Sequence, residues 1–134
     1  IDIRKNHGKV IITSEKTLDE EFEKYRMSVS PTKMHDLLYY TDLFISEGAT
    51  MVSECAVLGT QTIYVNSLDA GTLKEQEKLG LIYSLRKDDI LISLVQELIE
   101  KNKLDKQIAR ELSKEKLADK IDVTQYILDL IEND

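Results

Sequence analysis

A short segment, residues 42–66, limits the possible folds more strongly than any other part of the chain. It predicts a buried strand at 43–45, a turn of small residues, a helix over 51–58 that ends at Gly59, and a second buried strand at 62–65. Short apolar strands that alternate with helices are typical of a parallel sheet with helices on both faces. Ligands of such sheets bind beyond the carboxyl ends of the strands.

The same alternation is predicted upstream of this segment. We expect a buried strand at 10–13, a helix at 18–25 and a weaker strand at 26–29. A further helix is expected over 33–40, with Thr32 as its N-cap. The inward-facing residues predicted for that helix are Met34, Leu37, Leu38 and Tyr40.

The rest of the chain is predicted to be mainly helical. After the second buried strand, the pattern favours a helix over 73–79 and a last short strand at 81–83. Three tail helices follow. Asp88 caps the first, and a capping box of Asp122 and Gln125 begins the third. The residues expected to face inward from the third helix are Ile127, Leu130 and Ile131.

The length of the chain allows one domain. It has 134 residues, 42% of them hydrophobic and 32% charged, which suits one α/β domain and is too short for two. We therefore expect residues 1–134 to form one three-layer α/β/α Rossmann-like domain with a parallel sheet, mostly helical over 85–134. The chain begins with Ile1, and the first strand and glycine-rich loop of a complete doubly wound domain are not obvious in it. These features predict the C-terminal half of a larger protein.

The acidic composition restricts the partners. Lys and Arg total 18 against 25 Asp and Glu, a net charge of −7, which repels a phosphodiester backbone and argues against nucleic acid. A small anion can still bind to local dipoles. No apolar run approaches the roughly 20 residues that span a bilayer, so we expect no transmembrane segment. The single cysteine, Cys55, cannot form an internal disulfide, which favours a cytoplasmic location.

The turn after the strand at 43–45 contains the candidate binding residues. Its small residues are Ser46, Gly48, Ala49 and Thr50. A turn of this kind exposes the first N–H groups of the next helix, where a phosphate can bind. With Thr50 as the N-cap, Glu54 occupies the fourth helical position and is free to accept hydrogen bonds from two ribose hydroxyls. Alternatively, Gly48 only turns the chain and Glu54 interacts with the helix dipole.

The same residues resemble a known signature. The pattern is Ser46-x-Gly48-Ala49-x-x-x-Ser53-Glu54-x-Ala56-x-x-Gly59-x-x-x-Ile63-x-Val65. It resembles the donor site of GT-B-fold glycosyltransferases, and UDP-N-acetylglucosamine 2-epimerases share that fold and a related turn. The wider run from residue 30 to residue 85 is similar to an uncharacterised prokaryotic family of GT-B-like proteins.

The resemblance implies a role for each residue of the turn. Gly48, Ala49 and Thr50 would contact donor phosphates, with Ser46 and Ser53 beside them, and Glu54 would bind the ribose. The loop at 32–35, including His35, would line the base pocket. Glu47 departs from the pattern, because a carboxylate beside two phosphates is repulsive unless it points away or binds a metal. Two separated histidines and one cysteine give no metal-binding constellation.

A second polar segment follows the strand at 62–65. Its candidate residues are Asp69, Gly71, Thr72, Glu75 and Gln76. In the resembled donor domains, the loop at this place contacts the donor sugar. An exposed polar loop without a ligand explains the same residues equally well.

The function implied by the resemblance is the binding of a UDP-sugar donor, with no cofactor, in cell-envelope or polysaccharide synthesis. An N-terminal domain would supply the acceptor site and the catalytic base, and no catalytic residue is assigned here. The expected location is the cytoplasm, or the inner face of the membrane as a peripheral protein. Two alternatives stay open. The protein can be an isomerase of the UDP-N-acetylglucosamine 2-epimerase type, or a non-catalytic interaction domain that kept the fold.

Overall fold

The computed structural model describes residues 8–68, 71–86, 90–100 and 104–132. Three strands form a parallel sheet in the order β1 (Leu43–Ser46), β2 (Gln61–Val65) and β3 (Tyr83–Leu85). In the register of the sheet, Ile45 lies opposite Ile63, and Tyr64 lies opposite Ser84. The predicted α/β class with a parallel sheet is confirmed.

Helices surround this sheet in the described part of the chain. They are α1 (Glu20–Glu23), a 3₁₀ helix (Pro31–Lys33), α2 (Met34–Tyr40), α3 (Ala49–Leu58), α4 (Gly71–Lys78), α5 (Leu91–Glu100), α6 (Lys106–Leu117) and α7 (Val123–Glu132). The link from β1 to β2 is α3, and the link from β2 to β3 contains α4. None of the described helices combines the length and the apolar content needed to cross a membrane.

The sheet has a hydrophobic core on each face. Because strand side chains alternate in direction, Phe44 and Tyr64 face one core while Leu43 and Ile63 face the other. The first core also contains apolar residues of α3, α4 and α6, and the second contains residues of α5. The connections from β1 to β2 and from β2 to β3 both join parallel strands and run in the same direction across the sheet. Right-handed connections of this kind place their helices, α3 and α4, on the same face. The predicted three-layer arrangement is therefore present.

The predictions for the N-terminal region were partly wrong. Residues 10–13 and 26–29 do not form strands, because only an isolated bridge joins Ile12 to Arg26. The predicted helix over 18–25 is reduced to α1. A local network explains the compact loop, since the Arg26 guanidinium donates to the carbonyl oxygens of Ser14 (2.8 Å) and Lys16 (2.9 Å). It also pairs with Glu23 at 2.7 Å.

Two helix starts also differ from the prediction. Ser30 precedes the 3₁₀ helix that leads into α2, so Thr32 is not an N-cap; its hydroxyl lies 3.0 Å from that of Ser30. Pro31 begins the 3₁₀ helix, as suits a residue that lacks an N–H donor. On α2, Leu38 is buried as predicted, but Tyr40 is 70% exposed. The predicted cap Asp88 lies outside the described residues, and β3 begins two residues later than expected.

The two last helices have different environments. Asp105 caps α6 by accepting from the N–H groups of Gln107 (2.8 Å) and Ile108 (3.3 Å). Asp122 caps α7 through the N–H of Gln125 (3.1 Å), but the Gln125 side chain donates to Asp129, so the predicted capping box is half formed. The predicted burial of the α7 side chains was wrong. The exposed fractions are 49% for Ile127, 54% for Leu130 and 69% for Ile131.

Candidate functional site

The α3 helix begins earlier than its sequence suggested. Gly48 is the N-cap, with φ −87° and ψ 111°, and the N–H of Val52 donates to its carbonyl oxygen at 3.2 Å to close the first turn. The prediction of Thr50 as N-cap was therefore wrong, and Glu54 is the sixth helical residue instead of the fourth. Because φ of Gly48 is negative, its backbone angle does not require glycine.

The first turn of α3 keeps unpaired backbone donors. The N–H of Gly48 donates to the Ser46 hydroxyl oxygen at 3.0 Å, so the turn satisfies one donor internally. Among the described residues, no acceptor pairs with the N–H groups of Ala49, Thr50 or Met51, and no side chain caps the helix. These donors lie at the positive end of the helix dipole. The helix start can therefore accept an anion.

A surface pocket of about 600 Å³ lies beside this helix. It is lined by His35, Ala49, Thr50, Ser53, Glu54, Val57, Leu58 and Thr72. Six of the candidate residues thus meet at one place: His35, Ala49, Thr50, Ser53, Glu54 and Thr72. Ser46 and Gly48 lie outside the lining and bond to each other. From the predicted loop at 32–35, only His35 reaches the pocket. Sequence reasoning missed Val57 and Leu58, which follow Ser53 and Glu54 by one helical turn.

Glu54 and His35 form a contact at the pocket. The Nε2 atom of His35 lies 3.2 Å from the Oε2 atom of Glu54, and the side chains are 68% and 40% exposed. Such an exposed pair contributes little to stability. Ligand hydroxyls can therefore replace the imidazole as hydrogen-bond donors to the carboxylate at small cost.

The turn before α3 is tied to the end of β2. The Asn66 side chain donates from Nδ2 to the carbonyl oxygen of Glu47 at 3.1 Å and accepts from the N–H of Leu68 at 3.0 Å. Glu47 is exposed and is not part of the pocket lining. Its carboxylate therefore does not line the space that a phosphate would occupy. Sequence reasoning assigned no role to Asn66, although a polar residue directly after a buried strand was the available signal.

The α4 helix contributes to the opposite side of the pocket. Thr72 lines it, and Gln76 is buried behind it with its Nε2 donating to the Ser53 hydroxyl oxygen at 2.8 Å. Glu75 instead faces the surface and pairs with Lys120 at 3.0 Å. Glu75 and Gln76 are adjacent in sequence, but the first is at the surface and the second is buried. The sequence alone did not distinguish their environments. Asp69, from the same segment, lies outside the described residues.

Two other chemistries find no support in the described residues. Cys55 is fully buried, and burial raises the pKa of its thiol from an ordinary 9.0 to about 12, which suits a core residue better than a nucleophile. Within the same described residues, no group of three or more His, Cys, Asp or Glu side chains could hold a metal ion.

Comparison with known proteins gave no match. No protein-family model, no curated protein and no solved structure shows significant similarity to this chain. The resemblance to GT-B proteins therefore stays a hypothesis from the sequence.

Proposed function

We propose that this chain binds a UDP-sugar, as the donor-binding half of a GT-B-like glycosyltransferase of cell-envelope or polysaccharide synthesis. One observation carries the proposal. The unpaired N–H groups of the first α3 turn and the carboxylate of Glu54 belong to the same helix and border the same pocket. A helix start suits phosphate, and a carboxylate suits a pair of ribose hydroxyls.

The spacing along α3 fits a nucleoside diphosphate. Thr50 and Glu54 are four residues apart, which corresponds to about 6 Å along the helix axis and places both side chains on one face. The diphosphate would accept hydrogen bonds from the first-turn N–H groups and from the Thr50 hydroxyl. Glu54 would then exchange its contact with His35 for the ribose hydroxyls. Val57 and Leu58 would provide apolar contact area.

Sugar transfer needs more than this chain provides. No catalytic base is assigned among the described residues, and we propose that a second domain of a longer protein supplies the base and the acceptor site. The chain alone is then expected to bind UDP weakly and to catalyse nothing. A protein of this activity would work in the cytoplasm or at the inner face of the membrane.

Isothermal titration with UDP and UDP-N-acetylglucosamine tests the proposal. Glu54→Ala should weaken UDP binding by about 1–3 kcal/mol, because a charged hydrogen-bond partner of the ribose is lost. Glu47→Ala is the matched control, since it removes a neighbouring exposed carboxylate that does not line the pocket. That variant should bind UDP at least as tightly as the wild type. Absence of binding at millimolar UDP, or equal affinity in the Glu54 variant, would contradict the proposal.

A second candidate is a non-catalytic interaction domain. The exposed apolar side chains of α7 favour it, including Ile127, Leu130 and Ile131. An interaction domain would be indifferent to Glu54→Ala. Substitutions on α7 would instead change its association with other proteins or with itself, which sedimentation velocity can measure.

A further inference from the structure

Gln76 is a polar residue in an apolar position. The buried residues of α4 are Leu73 and Gln76, and Leu73 packs in the core with Val52 and Tyr64. Gln76 is only 9% exposed. Burial of an amide is costly unless each of its polar atoms forms a hydrogen bond.

The hydrogen bonds of Gln76 are incomplete. Its Nε2 donates to the Ser53 hydroxyl oxygen at 2.8 Å and lies 3.4 Å from the Ser53 carbonyl oxygen. Its Oε1 is buried and has no partner among the described residues. An unpaired buried acceptor is destabilising, and an apolar side chain of the same length would avoid it. Stability therefore does not account for glutamine at this position.

The hydrogen bond from Gln76 determines how the Ser53 hydroxyl can bind a ligand. Ser53 lines the pocket, and its oxygen accepts a hydrogen bond from Gln76 on the core side. The hydroxyl proton remains free to be donated, since a hydroxyl has one donor and two acceptor positions. Thr50 lies one helical turn earlier on the same face, beside the unpaired N–H groups. Ser53 thus extends a row of donors toward the pocket.

We propose that Gln76 is a positioning residue that makes Ser53 a hydrogen-bond donor to a phosphate oxygen of the bound nucleotide. The assignment rests on the proposed nucleotide-binding function and extends it. Gln76 itself does not touch the ligand. Its effect is on phosphorylated ligands, because a phosphate accepts hydrogen bonds and donates few.

The test compares UDP with uridine by NMR titration in wild type and in Gln76→Met. The variant should bind UDP about tenfold more weakly, the size of one hydrogen bond to a charged group, and uridine equally well. Its melting temperature should equal or exceed that of the wild type. Ser53→Ala should show the same selective loss. The double variant should lose no more than either single variant, because both changes remove one interaction.

Leu73→Met is the matched control on the same helix. It should lower the melting temperature without changing the ratio of UDP to uridine affinity. If Gln76→Met proves too unstable to study, Ser53→Ala and Gln76→Leu measure the same selectivity.

The outcomes separate the two proposals. If the wild type does not bind UDP, the proposed function and this inference are both wrong. If the wild type binds UDP and the Gln76 and Ser53 variants bind it as tightly, only this inference is wrong. A parallel loss of UDP and uridine affinity would also overturn it, because the pocket shape and not the phosphate contact would have changed.

Discussion

The helices α6 and α7 are both amphipathic, but they have different environments. Both carry an apolar stripe, and an aspartate caps each of them at its start, Asp105 for α6 and Asp122 for α7. Yet α6 packs against the first core through Leu112 and Leu117. Every residue from 121 to 132 is exposed. An amphipathic pattern therefore predicts a helix, but it does not predict what the helix packs against.

Specific contacts hold α6 in place. Gly59 leaves room for it, since a Cβ atom at this glycine would lie 2.6 Å from the Cα of Arg110. The Ser113 hydroxyl lies 3.0 Å from the carbonyl oxygen of Ala56 and 2.9 Å from that of Val57, at the end of α3. On α7, by contrast, the Gln125 side chain donates to Asp129 of the same helix at 2.7 Å, and both residues are exposed.

The end of α2 adds to the docking of α6. The Arg110 guanidinium donates to the Tyr39 carbonyl oxygen at 2.8 Å and lies 3.7 Å above the centre of the Tyr39 ring. Lys106 donates to the Tyr40 carbonyl oxygen at 2.7 Å. These contacts satisfy backbone carbonyls that a helix end leaves unpaired. The α6 helix therefore stabilises α2 and α3, two of the three helices that border the pocket.

Substitution of Gly59 should have the largest effect. Gly59→Ala adds a side chain at φ 70° and against the backbone of α6, so we expect a loss of about 3 kcal/mol or more in the free energy of unfolding. Urea denaturation measures it. Gly80→Ala is the control, because Gly80 has a φ of 77° but nothing within 4 Å of an added Cβ. That variant should lose only about 1–2 kcal/mol. Equal losses would contradict close docking of α6.

These glycines show what the sequence could and could not predict. Gly59 was predicted to end its helix, and it does so in the left-handed region. Its close approach to Arg110 could not be predicted, because the two residues are distant in sequence. Likewise the apolar spacing of 43–45 and 62–65 correctly predicted strands, but only the second is buried. The strand β1 lies at the edge of the described sheet, and its Ile45 side chain is 43% exposed, so its predicted burial was wrong. The N-terminal runs at 10–13 and 26–29 are joined to each other by one bridge and do not belong to the described sheet, so local propensity alone gave a wrong prediction there.

The rate of thiol alkylation should distinguish the exposed helix α7 from the buried side of α3. In a Thr124→Cys variant, the thiol on exposed α7 should react with iodoacetamide at pH 8 at least ~100-fold faster than Cys55, which is buried and has a raised pKa. Peptide mass spectrometry follows both thiols in one sample. Similar rates would mean that the α3 region opens readily.

The raised pKa of the Cys55 thiol predicts that the free energy of unfolding depends on pH. The unfolded chain loses the Cys55 proton near its ordinary pKa of 9.0, whereas the folded chain keeps it until about 12. The contribution of Cys55 to stability is therefore complete below pH 9.0 and declines as the pH rises toward 12. Denaturation curves of wild type and Cys55→Ala between pH 8 and pH 11 should converge as the pH increases.

Ser113→Ala should have an intermediate effect. It removes a hydroxyl that bonds the carbonyl oxygens of Ala56 and Val57 at the end of α3, the first of them buried, and we expect a loss of about 1–2 kcal/mol in the free energy of unfolding. Ser93→Ala is the matched control, because the exposed Ser93 hydroxyl bonds only the Ile90 carbonyl of its own region. An equally large loss in Ser93→Ala would show that the hydrogen bonds of Ser113 to α3 do not stabilise the fold more than an exposed local hydrogen bond does.

Substitution on α7 should have the smallest effect. Leu130→Gln replaces a side chain that is 54% exposed, so the free energy of unfolding should change by no more than about 0.5 kcal/mol. Leu117→Gln on α6 should be clearly destabilising, since Leu117 packs against the first core. A large loss in the Leu130 variant would mean that α7 is buried in solution.

The part of the candidate site that could be predicted from the sequence is the part formed by residues close to one another in the chain. The small turn residues and Glu54 stand out because they follow an apolar strand, and His35 was predicted from the loop at 32–35. The contribution of Gln76 could not be predicted, since α4 reaches Ser53 only through the folded core. The start of α3 was misplaced because Thr50 is the better cap by residue type, whereas the backbone closes its first turn on Gly48.

An NMR titration with UDP that follows the backbone amides of α3 shows directly whether a nucleotide binds at this helix. The amide signals of Ala49, Thr50 and Met51 should shift strongly in the wild type. In Glu54→Ala, the same signals should shift only at higher UDP concentration. Unchanged signals at millimolar UDP, or shifts confined to residues outside the pocket, would contradict a nucleotide site at this helix.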